Sequence, residues 1–380
     1  MHLVAGAAWL VVAGMAIADR RALRPIRRRR SFEEHDAVSI IVPARNEANN
    51  IADWVFGARR QRVRDLQIIV VDDDSQDETF AAAVSAAGED RRVEVVQGSP
   101  PPAGWIGKPW AAYLGARRAR GTWLLFSDAD MRMQPEALPS ALQAARVLDA
   151  DALSATSTLV CGTFWERQIM PVIASVIFSA MPVFAIHDER LPTALLAGGF
   201  MLVRAPAYWL AGGHAAVRAS IAEDRDLAER FKGFGYRIRM LDGSELIRVR
   251  MYRGFGEMWR GWRKNFYEGV RRNRFGAGIA VLGYFAMLVL PVPTLVGAAV
   301  ARARGPLSRQ MRMLAAASAV SVAATVLVRL IRDPAVGIKT TATSVLLTPA
   351  SGIFAAAVMA ASAWRILSGR GQVWKGRRIV

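Results

Sequence analysis

Hydrophobic and polar positions follow two different patterns along the chain. One long apolar run occupies residues 2–18, and three more occupy residues 277–300, 313–328 and 345–364. Runs of this length and character predict helices that lie in or across a membrane. Between residues 37 and 250 the apolar runs are short and polar turns separate them, which predicts a folded globular domain.

The globular region alternates β-branched runs with segments of helical spacing. Predicted strands cover residues 38–43, 67–71, 93–96, 122–127, 152–159 and 236–241, and residues 197–203 are predicted as a tight turn into a strand. Predicted helices cover residues 47–60, 78–87, 110–118, 135–147 and 220–233, and a further helix is predicted to start at residues 205–210. Strands that alternate with helices indicate right-handed crossovers and a mostly parallel sheet. The near-continuous apolar character of the strands fits a sheet with helices on both faces. The predicted fold class is therefore α/β, with transmembrane helices added.

Basic residues follow the first apolar run, at Arg20, Arg21, Arg24 and residues 27–30. A secretory signal peptide carries its charges before its apolar run, so this order favours a retained anchor whose carboxyl end faces the cytoplasm. With 17 residues the run is at the short limit for a span. A helix half-inserted in the membrane surface is the alternative.

Two further segments combine apolar and charged residues. Residues 164–186 are apolar but contain Arg167 and are followed by a charged stretch, which favours a core or interfacial helix over a span. Residues 251–276 interleave aromatic side chains with arginines. Nucleic-acid bases could stack on such a segment, but an apolar run follows at once, so a helix at the membrane surface is favoured and nucleic acid is not expected as a partner.

The positive charges conflict with a simple count of four spans. Four spans would place the basic tail, residues 366–380, outside the cell with the amino terminus, whereas basic segments are normally cytoplasmic. A re-entrant hairpin at Pro291-Val292-Pro293 would restore the parity. It would also place four further arginines inside, namely Arg302, Arg304, Arg309 and Arg312. Three spans with a hairpin and four full spans both remain open.

Composition agrees with a chain that is partly globular and partly in a membrane. The hydrophobic fraction is 53% and the net charge is +18, with the basic residues beside the apolar runs. The predicted regions are an anchor (1–19), a globular domain (37–250), an interfacial segment (251–276), a membrane region (277–365) and a cytoplasmic tail (366–380). Cys161 is the single cysteine, which excludes an internal disulfide and a cysteine-based zinc site.

Acidic residues follow the predicted strands where a ligand site would need them. Asp72 follows the second strand, Asp128 and Asp130 follow the fourth, and Glu223-Asp224 opens a helix. The carboxyl ends of parallel strands meet at one edge of a sheet, where open α/β sheets bind ligands. Two carboxylates spaced i, i+2 could hold Mg²⁺ or Mn²⁺ with a diphosphate completing the shell. Two acids in a solvated loop are the alternative.

The chemistry that these residues favour is transfer of a sugar from a nucleotide diphosphate. A leaving diphosphate needs a divalent cation or cationic side chains, for which Asp130 is the candidate metal ligand and Lys108 the candidate phosphate contact. An acceptor hydroxyl needs a base, which is commonly a carboxylate. The chain has no Gly-x-Gly-x-x-Gly and no Walker loop, which disfavours a dinucleotide-binding dehydrogenase and a P-loop enzyme.

Five motifs over residues 37–250 resemble, in order, those of the family 2 glycosyltransferases with a GT-A fold. They are Ser39-Ile40-Ile41-Val42-Pro43-Ala44-Arg45-Asn46-Glu47, Val71-Asp72-Asp73-Asp74-Ser75-Gln76-Asp77-Glu78-Thr79, Gly107-Lys108-Pro109-Trp110-Ala111, Asp128-Ala129-Asp130 and Glu223-Asp224-Arg225-Asp226-Leu227. Any one of them is weak evidence, and five in order make a strong match. Residues 261–265 and 374–377 further resemble the membrane-bound members linked to carotenoid and hopanoid modification.

The resemblance implies an inverting enzyme that moves one sugar from a nucleotide-diphosphate sugar to a membrane lipid at the cytoplasmic face of the cell membrane. A carotenoid, a hopanoid, a polyprenyl phosphate and a glycerolipid all fit as the acceptor. The resemblance also implies roles for individual residues. Pro43, Ala44 and Glu47 would line the nucleotide pocket, and Asp72 would contact the base. Asp128 would lie near the ribose and the metal, Asp130 would bind Mg²⁺ or Mn²⁺, and Asp224 would deprotonate the acceptor.

The chain departs from the family pattern at two places. Residue 74 is Asp where Gly is usual, and no clear Gln-x-x-Arg-Trp signature of processive members is present. Trp262 and Arg263 stand in its place as candidate substrate contacts, and a single sugar addition is favoured.

Structural roles compete with several of these interpretations. Asp73, Asp74 and Asp77 could only cap the following helix, Glu223 could be a helix N-terminal charge, and His214 is interpreted as a structural polar contact. A membrane scaffold or regulator that binds nucleotide without transfer is the alternative function.

Overall fold

The computed structural model describes residues 2–30 and 36–379. The chain forms two compact units. The first, which we call the apolar-helix unit, consists of residues 1–21, 161–182 and 252–380, and the second, the sheet unit, consists of residues 22–160 and 183–251.

Strands and helices alternate in the sheet unit, whereas helices dominate the apolar-helix unit. In chain order, the strands are β1 (Val38–Ala44), β2 (Leu66–Asp72), β3 (Val93–Gln97), β4 (Trp123–Ser127), β5 (Met131–Met133), β6 (Ala152–Thr156), β7 (Thr158–Leu159), β8 (Phe200–Arg204), β9 (Ile238–Asp242), β10 (Ile247–Val249), β11 (Val373–Trp374) and β12 (Arg377–Arg378). The helices are α1 (His2–Ala22), α2 (Ile51–Arg59), α3 (Thr79–Ala87), α4 (Gly107–Arg118), α5 (Ala137–Val147), α6 (Phe164–Ala180), α7 (Val183–His187), α8 (Ala205–Leu210), α9 (Gly213–Ala216), α10 (Glu223–Gly233), α11 (Phe255–Gly269), α12 (Arg274–Tyr284), α13 (Pro291–Arg304), α14 (Arg309–Arg332), α15 (Ala342–Leu346) and α16 (Thr348–Leu367).

A seven-stranded sheet in the order β3-β2-β1-β4-β8-β6-β9 forms the centre of the sheet unit. Strands β1 to β4 pair in parallel, as do β6 and β9, whereas β8 runs antiparallel to both of its neighbours. The predicted α/β class with a mostly parallel sheet is confirmed. Ile40 and Ile41 point to opposite faces of β1 and both are fully buried, because helices cover both faces.

The single strand predicted over residues 152–159 is wrong, because the structure has two short strands there. Strand β6 stays in the large sheet, while β7 pairs with β10 in a three-stranded sheet of order β5-β10-β7. The hydroxyl of Thr158 donates to the carbonyl of Ser244 at 2.7 Å, which directs the chain towards β10. The break depends on a partner strand almost 90 residues later in the chain, so local sequence could not reveal it.

Three helices of the apolar-helix unit, among the described residues, are long and apolar enough to cross a membrane. They are His2–Ala22, Arg309–Val336 and Thr348–Leu367. A fourth candidate is the pair Arg274–Val289 and Pro291–Arg304, which bends by 41° at Leu290. The chain is helical on both sides of that bend, through a π-helical turn at Phe285–Val289. By length and composition alone, these helices allow three spans or four.

Helices α1 and α14 run parallel to each other within this unit. A β-carbon added at Gly6 would lie 3.4 Å from the carbonyl oxygen of Ala317, and Asp19 forms an ion pair with Arg332 at 3.1 Å. Arg309 therefore lies at the His2 end of α1, about 12 Å beyond Ala317. The position of Arg309 contradicts the hairpin alternative, which places it with Arg302, Arg304 and Arg312 at the Arg20 end.

Candidate active site

The carboxyl ends of β1 and β2 lie side by side and carry the first predicted site residues. Ala44 is paired in register with Asp72, and the amide of Asp73 donates to the carbonyl of Ala44 at 2.7 Å. Ala44 is fully buried, whereas Pro43 is half-buried. The predicted convergence of the polar turns at this edge therefore holds for the first two strands.

Asp72 is buried and one of its carboxylate oxygens has no hydrogen-bond partner among the described residues. Its Oδ2 accepts from the amide of Ser75 at 3.3 Å, while Oδ1 is the atom left over. A buried acceptor without a donor is costly unless a ligand supplies one. A nucleotide base, with its ring N–H groups, has the chemistry that this oxygen requires.

Asp74, where the family has Gly, adopts a left-handed conformation with a φ of 54°. Glycine is the usual residue for this region because it lacks a β-carbon, and Asp is among the few others that tolerate it. Arg45 donates to the carbonyl oxygens of Asp73 and Asp74, which fixes the turn. The turn thus keeps a glycine-like backbone, and the carboxylate of Asp74 pairs with Arg45 at 3.4 Å.

Glu47 holds the loop after β1 against the loop before α3. Its amide donates to the hydroxyl of Thr79 at 2.7 Å, and its Oε2 accepts from the side-chain amide of Asn50 at 2.6 Å. Asp77 accepts from the amide of Thr79 at the start of α3, as its predicted structural role requires. These contacts set the shape of the pocket predicted for the nucleotide.

A small cavity in the sheet unit brings together charged and polar side chains from four separate parts of the chain. Its charged and polar lining consists of Lys108 on α4, Ser127 and Asp128 at the end of β4, His214 on α9, and Glu223 and Asp224 at the start of α10. Pro43, Ala112, Phe126, Gly198 and Met201 complete the wall. Asp72 and Asp130 do not line this cavity.

Lys108 connects the two acidic motifs. Its Nζ lies 2.8 Å from Asp128 Oδ1 and 2.8 Å from Glu223 Oε1. Loss of hydration would lower the pKa of Lys108, but the carboxylates of Asp128, Glu223 and Asp224 outweigh that effect and hold this pKa well above its ordinary value. The lysine therefore stays charged and holds the two motifs together.

Asp224 lies beside this ion cluster but its direct partners are backbone amides. Oδ1 accepts from the amide of Arg225 at 2.8 Å and Oδ2 from that of Gly198 at 3.2 Å. Burial, with repulsion from Glu223, raises the pKa of Asp224 to about 6, although Lys108 opposes the shift. A carboxylate with a pKa near neutrality is suited to accept a proton during a reaction.

Asp130 follows Asp128 by two residues at the end of β4. Among residues 2–30 and 36–379, no group of three or more His, Cys, Asp or Glu side chains forms a metal cage. Mg²⁺ and Mn²⁺ do not require one when a substrate is present, because they are commonly held by one or two carboxylates plus phosphate oxygens. The hard oxygen donors of Asp128 and Asp130 fit a divalent cation of that kind.

His214, interpreted from the sequence as a structural polar contact, makes such a contact with the Tyr208 hydroxyl, but the sequence did not reveal that it also lines the cavity. It is 3% exposed, and its ring packs against Phe126 and Tyr208. His214 also lines the cavity. Burial and the charge of Lys108 lower the pKa of His214 to about 3, so the imidazole is neutral. The one signal in the sequence was a histidine directly after two glycines.

Trp262 and Arg263 belong to the apolar-helix unit, on α11. The indole of Trp262 is 7% exposed, lies 3.4 Å from the sulfur of Met170 and packs against Phe266. The carbonyl oxygen of Arg263 accepts from the side-chain amide of Gln372 at 3.2 Å. Their role as substrate contacts stays a prediction.

Comparison with known proteins adds sequence relatives and a fold. Residues 39–208 match the family described as Glycosyl transferase family 2. The chain is 27% identical over 267 residues to 4,4'-diaponeurosporenoate glycosyltransferase of Staphylococcus haemolyticus, with 68% of each chain covered. It is also 27% identical over 243 residues to the protein of the same name from Staphylococcus aureus, with 62% of each chain covered. The chain thus spans about two thirds of the length of these relatives.

A solved structure with a similar fold is a mannosyltransferase from Pyrobaculum calidifontis in complex with GDP-Man and Mn²⁺. It matches 86% of this chain and 98% of its own, with a TM-score of 0.51 and 17% identity. At this identity the match concerns the fold alone. The chain is therefore a glycosyltransferase with a GT-A fold, and its residues 39–208 match the family 2 glycosyltransferases.

Proposed function

We propose that this protein is an inverting glycosyltransferase that moves one sugar from a nucleotide-diphosphate sugar to a carotenoid-like lipid. The observation that carries the proposal is the cavity in which Lys108, Asp128, Glu223 and Asp224 meet at the edge of the sheet. The acceptor class follows from the names of the relatives, which act on 4,4'-diaponeurosporenoate.

On the donor side, the loop with Pro43, Ala44 and Glu47 lines the nucleotide pocket, and the unpartnered oxygen of Asp72 accepts from the base. Asp128 lies towards the ribose, and Lys108 contributes a positive charge near the diphosphate. Asp130, with Asp128 nearby, would hold Mg²⁺ or Mn²⁺, whose chemistry is to offset the charge on the leaving diphosphate.

On the acceptor side, Asp224 takes the proton of the attacking hydroxyl as the bond to the anomeric carbon forms. Its pKa of about 6 lets it be ionised at neutral pH and still bind a proton in the transition state. A direct displacement by one nucleophile inverts the anomeric carbon. Trp262 and Arg263 are proposed to contact the acceptor.

The proposed location is the cell membrane, with several spans and a cytoplasmic catalytic domain at residues 37–250. The three or four apolar helices support membrane insertion. The basic residues after α1 support the cytoplasmic side, because such segments are retained there.

The test uses purified full-length protein in detergent with a panel of nucleotide sugars and a membrane lipid extract, with and without Mg²⁺ or Mn²⁺. We expect transfer with the metal present, and a loss of two orders of magnitude or more, ~10²–10⁴-fold, for Asp224→Asn. Asp130→Asn should lose turnover as well. Asp188→Asn is the control, because Asp188 pairs with Arg190 away from the cavity.

Two results would contradict the proposal. Full activity of both Asp224→Asn and Asp130→Asn would remove the assigned roles. Thermal stabilisation by nucleotide without turnover on any lipid would instead indicate the scaffold or regulator that the sequence left open as the alternative.

A further inference from the structure

His214 is a buried imidazole in the cavity wall to which the proposed mechanism assigns no role. It lies on the short helix α9, with ring centroids 4.7 Å from Phe126 and 5.7 Å from Tyr208. Its neighbours are apolar or aromatic on these sides, while the cavity beside it is lined by Lys108 and carboxylates. A polar ring atom that faces such a cavity is available to a ligand.

The hydrogen bonds of Tyr208 determine which ring nitrogen carries the proton. The Tyr208 hydroxyl accepts from the backbone amide of His214 at 3.1 Å and lies 2.9 Å from Nδ1 of the same residue. A hydroxyl has one proton, and Nδ1 is the acceptor within reach of it. Burial raises the pKa of Tyr208 above its ordinary value, so the phenol keeps that proton.

With Nδ1 as the acceptor, the neutral imidazole carries its proton on Nε2. No described residue accepts a hydrogen bond from Nε2, whereas the ring itself forms part of the cavity wall. The neutral state is maintained because burial and the charge of Lys108 both disfavour the imidazolium. The cavity thus has one neutral, fixed N–H donor among its charged side chains.

We propose that the Nε2–H group of His214 donates a hydrogen bond to a hydroxyl oxygen of the sugar that is being transferred. A sugar hydroxyl can accept a hydrogen bond from His214 and donate one to the carboxylate of Glu223 or Asp224, so it matches both the donor and the acceptors that line the cavity. A phosphate oxygen accepts but cannot donate, and it would be repelled by those carboxylates. His214 is thereby a sugar-specificity residue, and Tyr208 is the positioning residue that fixes its tautomer. This inference rests on the proposed glycosyl transfer.

Two substitutions of His214 separate the hydrogen bond from the packing. His214→Phe keeps an aromatic ring between Phe126 and Tyr208 but has no donor, whereas His214→Gln places an amide N–H close to the position of Nε2. We expect His214→Phe to lower kcat/KM for the nucleotide sugar by roughly tenfold, as for one lost neutral hydrogen bond. His214→Gln should recover most of this loss.

Deoxy sugars identify the oxygen that is contacted. For the donor analogue that lacks the contacted hydroxyl, wild type and His214→Phe should have equal kcat/KM, because the bond is already missing. A tenfold loss that persists with every deoxy analogue would show that the effect is one of packing. An unchanged kcat/KM for His214→Phe with all donors would also overturn the proposal.

A readout that does not depend on turnover is the ¹⁵N spectrum of the four histidines, with the His214 signal assigned by its loss in His214→Phe. We expect an Nε2-protonated neutral ring between pH 8 and pH 5, and a change in its Nε2–H signal when the nucleotide sugar binds. A ring that becomes charged at pH 6, or an Nδ1-protonated one, would refute the tautomer. If wild type neither binds nor turns over any nucleotide sugar while the tautomer is as expected, the proposed function fails and the sugar contact fails with it, whereas the tautomer assignment stands.

Discussion

Replacement of Asp224 by Asn should abolish activity and yet make the protein more stable at neutral pH. The carboxyl group is half-buried at the start of α10, and its pKa is about 6 in the folded protein against an ordinary value of 3.8. The folded state therefore binds the proton more tightly than the unfolded state does. Stability from this group is fully present below pH 4 and is lost as the pH rises from about 4 to about 6.

The magnitude follows from the difference between the two pKa values. One pKa unit corresponds to ~1.4 kcal/mol, so the ionised Asp224 costs about 3 kcal/mol of folding free energy above pH 6. Asn removes that cost, but it keeps only one acceptor oxygen for the amides of Gly198 and Arg225, which offsets about 1 kcal/mol. The net expected gain is about 2 kcal/mol at pH 7.5 and close to zero at pH 4.

The assay is thermal unfolding of the full chain in detergent at pH 4 and at pH 7.5, for wild type and Asp224→Asn. For a domain of this size, a gain of 2 kcal/mol raises Tm by roughly 4–8 °C. The transfer rate of wild type should rise as the pH increases through about 6 and level off above it, because the base must be ionised. A Tm difference that is equal at both pH values, or a less stable Asp224→Asn at pH 7.5, would refute the reasoning.

Three further predictions concern the surroundings of this group and one ion pair elsewhere. Lys108→Met removes a charge that lowers the pKa of Asp224, so the acidic limb of the pH–rate profile should move above pH 6; an unmoved limb would contradict this. Gly198→Ala places a β-carbon 2.9 Å from Asp224 Oδ2, so turnover should fall by ~10-fold or more with the nucleotide still bound; unchanged kinetics would show that the carboxylate can shift. In the apolar-helix unit, Arg332→Ala removes the cation that pairs with the buried carboxylate of Asp19 and should destabilise by ~3–5 kcal/mol in denaturant titration, whereas Asp19→Leu with Arg332→Met should be close to neutral.

The strands of the sheet could be predicted from sequence where burial on both faces made the apolar run continuous. Strand β1 is predicted at residues 38–43 and observed at Val38–Ala44. Strand β2 is predicted at residues 67–71 and observed at Leu66–Asp72. The break between β6 and β7 could not be predicted, because it depends on pairing with β10. The local hydrophobic pattern predicts which residues are buried, but it does not predict which distant strand they pair with.

In the candidate site, too, residues in local motifs could be predicted, whereas features that depend on distant contacts could not. Lys108, Asp128 and Asp224 could be named because they lie in motifs at the ends of regular elements, and the structure places all three around one cavity. The place of His214 in the cavity wall could not be predicted, because it depends on the contacts of α9 with Phe126 and Tyr208. The left-handed φ of Asp74 could not be predicted from the Asp residue itself, and the indirect signal for it was the preference of the resembled family for Gly at that turn.

Geometry also distinguishes two neighbouring carboxylates that the sequence treats alike. Glu223 and Asp224 are consecutive at the start of α10, so the residue pattern alone does not choose the base, although the family resemblance implied Asp224. The Nζ of Lys108 contacts Glu223 and Asp128 directly, so those two carboxylates have a cation as partner. Among the described residues, Asp224 has only backbone amides as its hydrogen-bond donors, and it is repelled by Glu223 beside it. A base must gain from protonation, and among these carboxylates that condition is met by Asp224, because the cation of the cluster is bound by its neighbours.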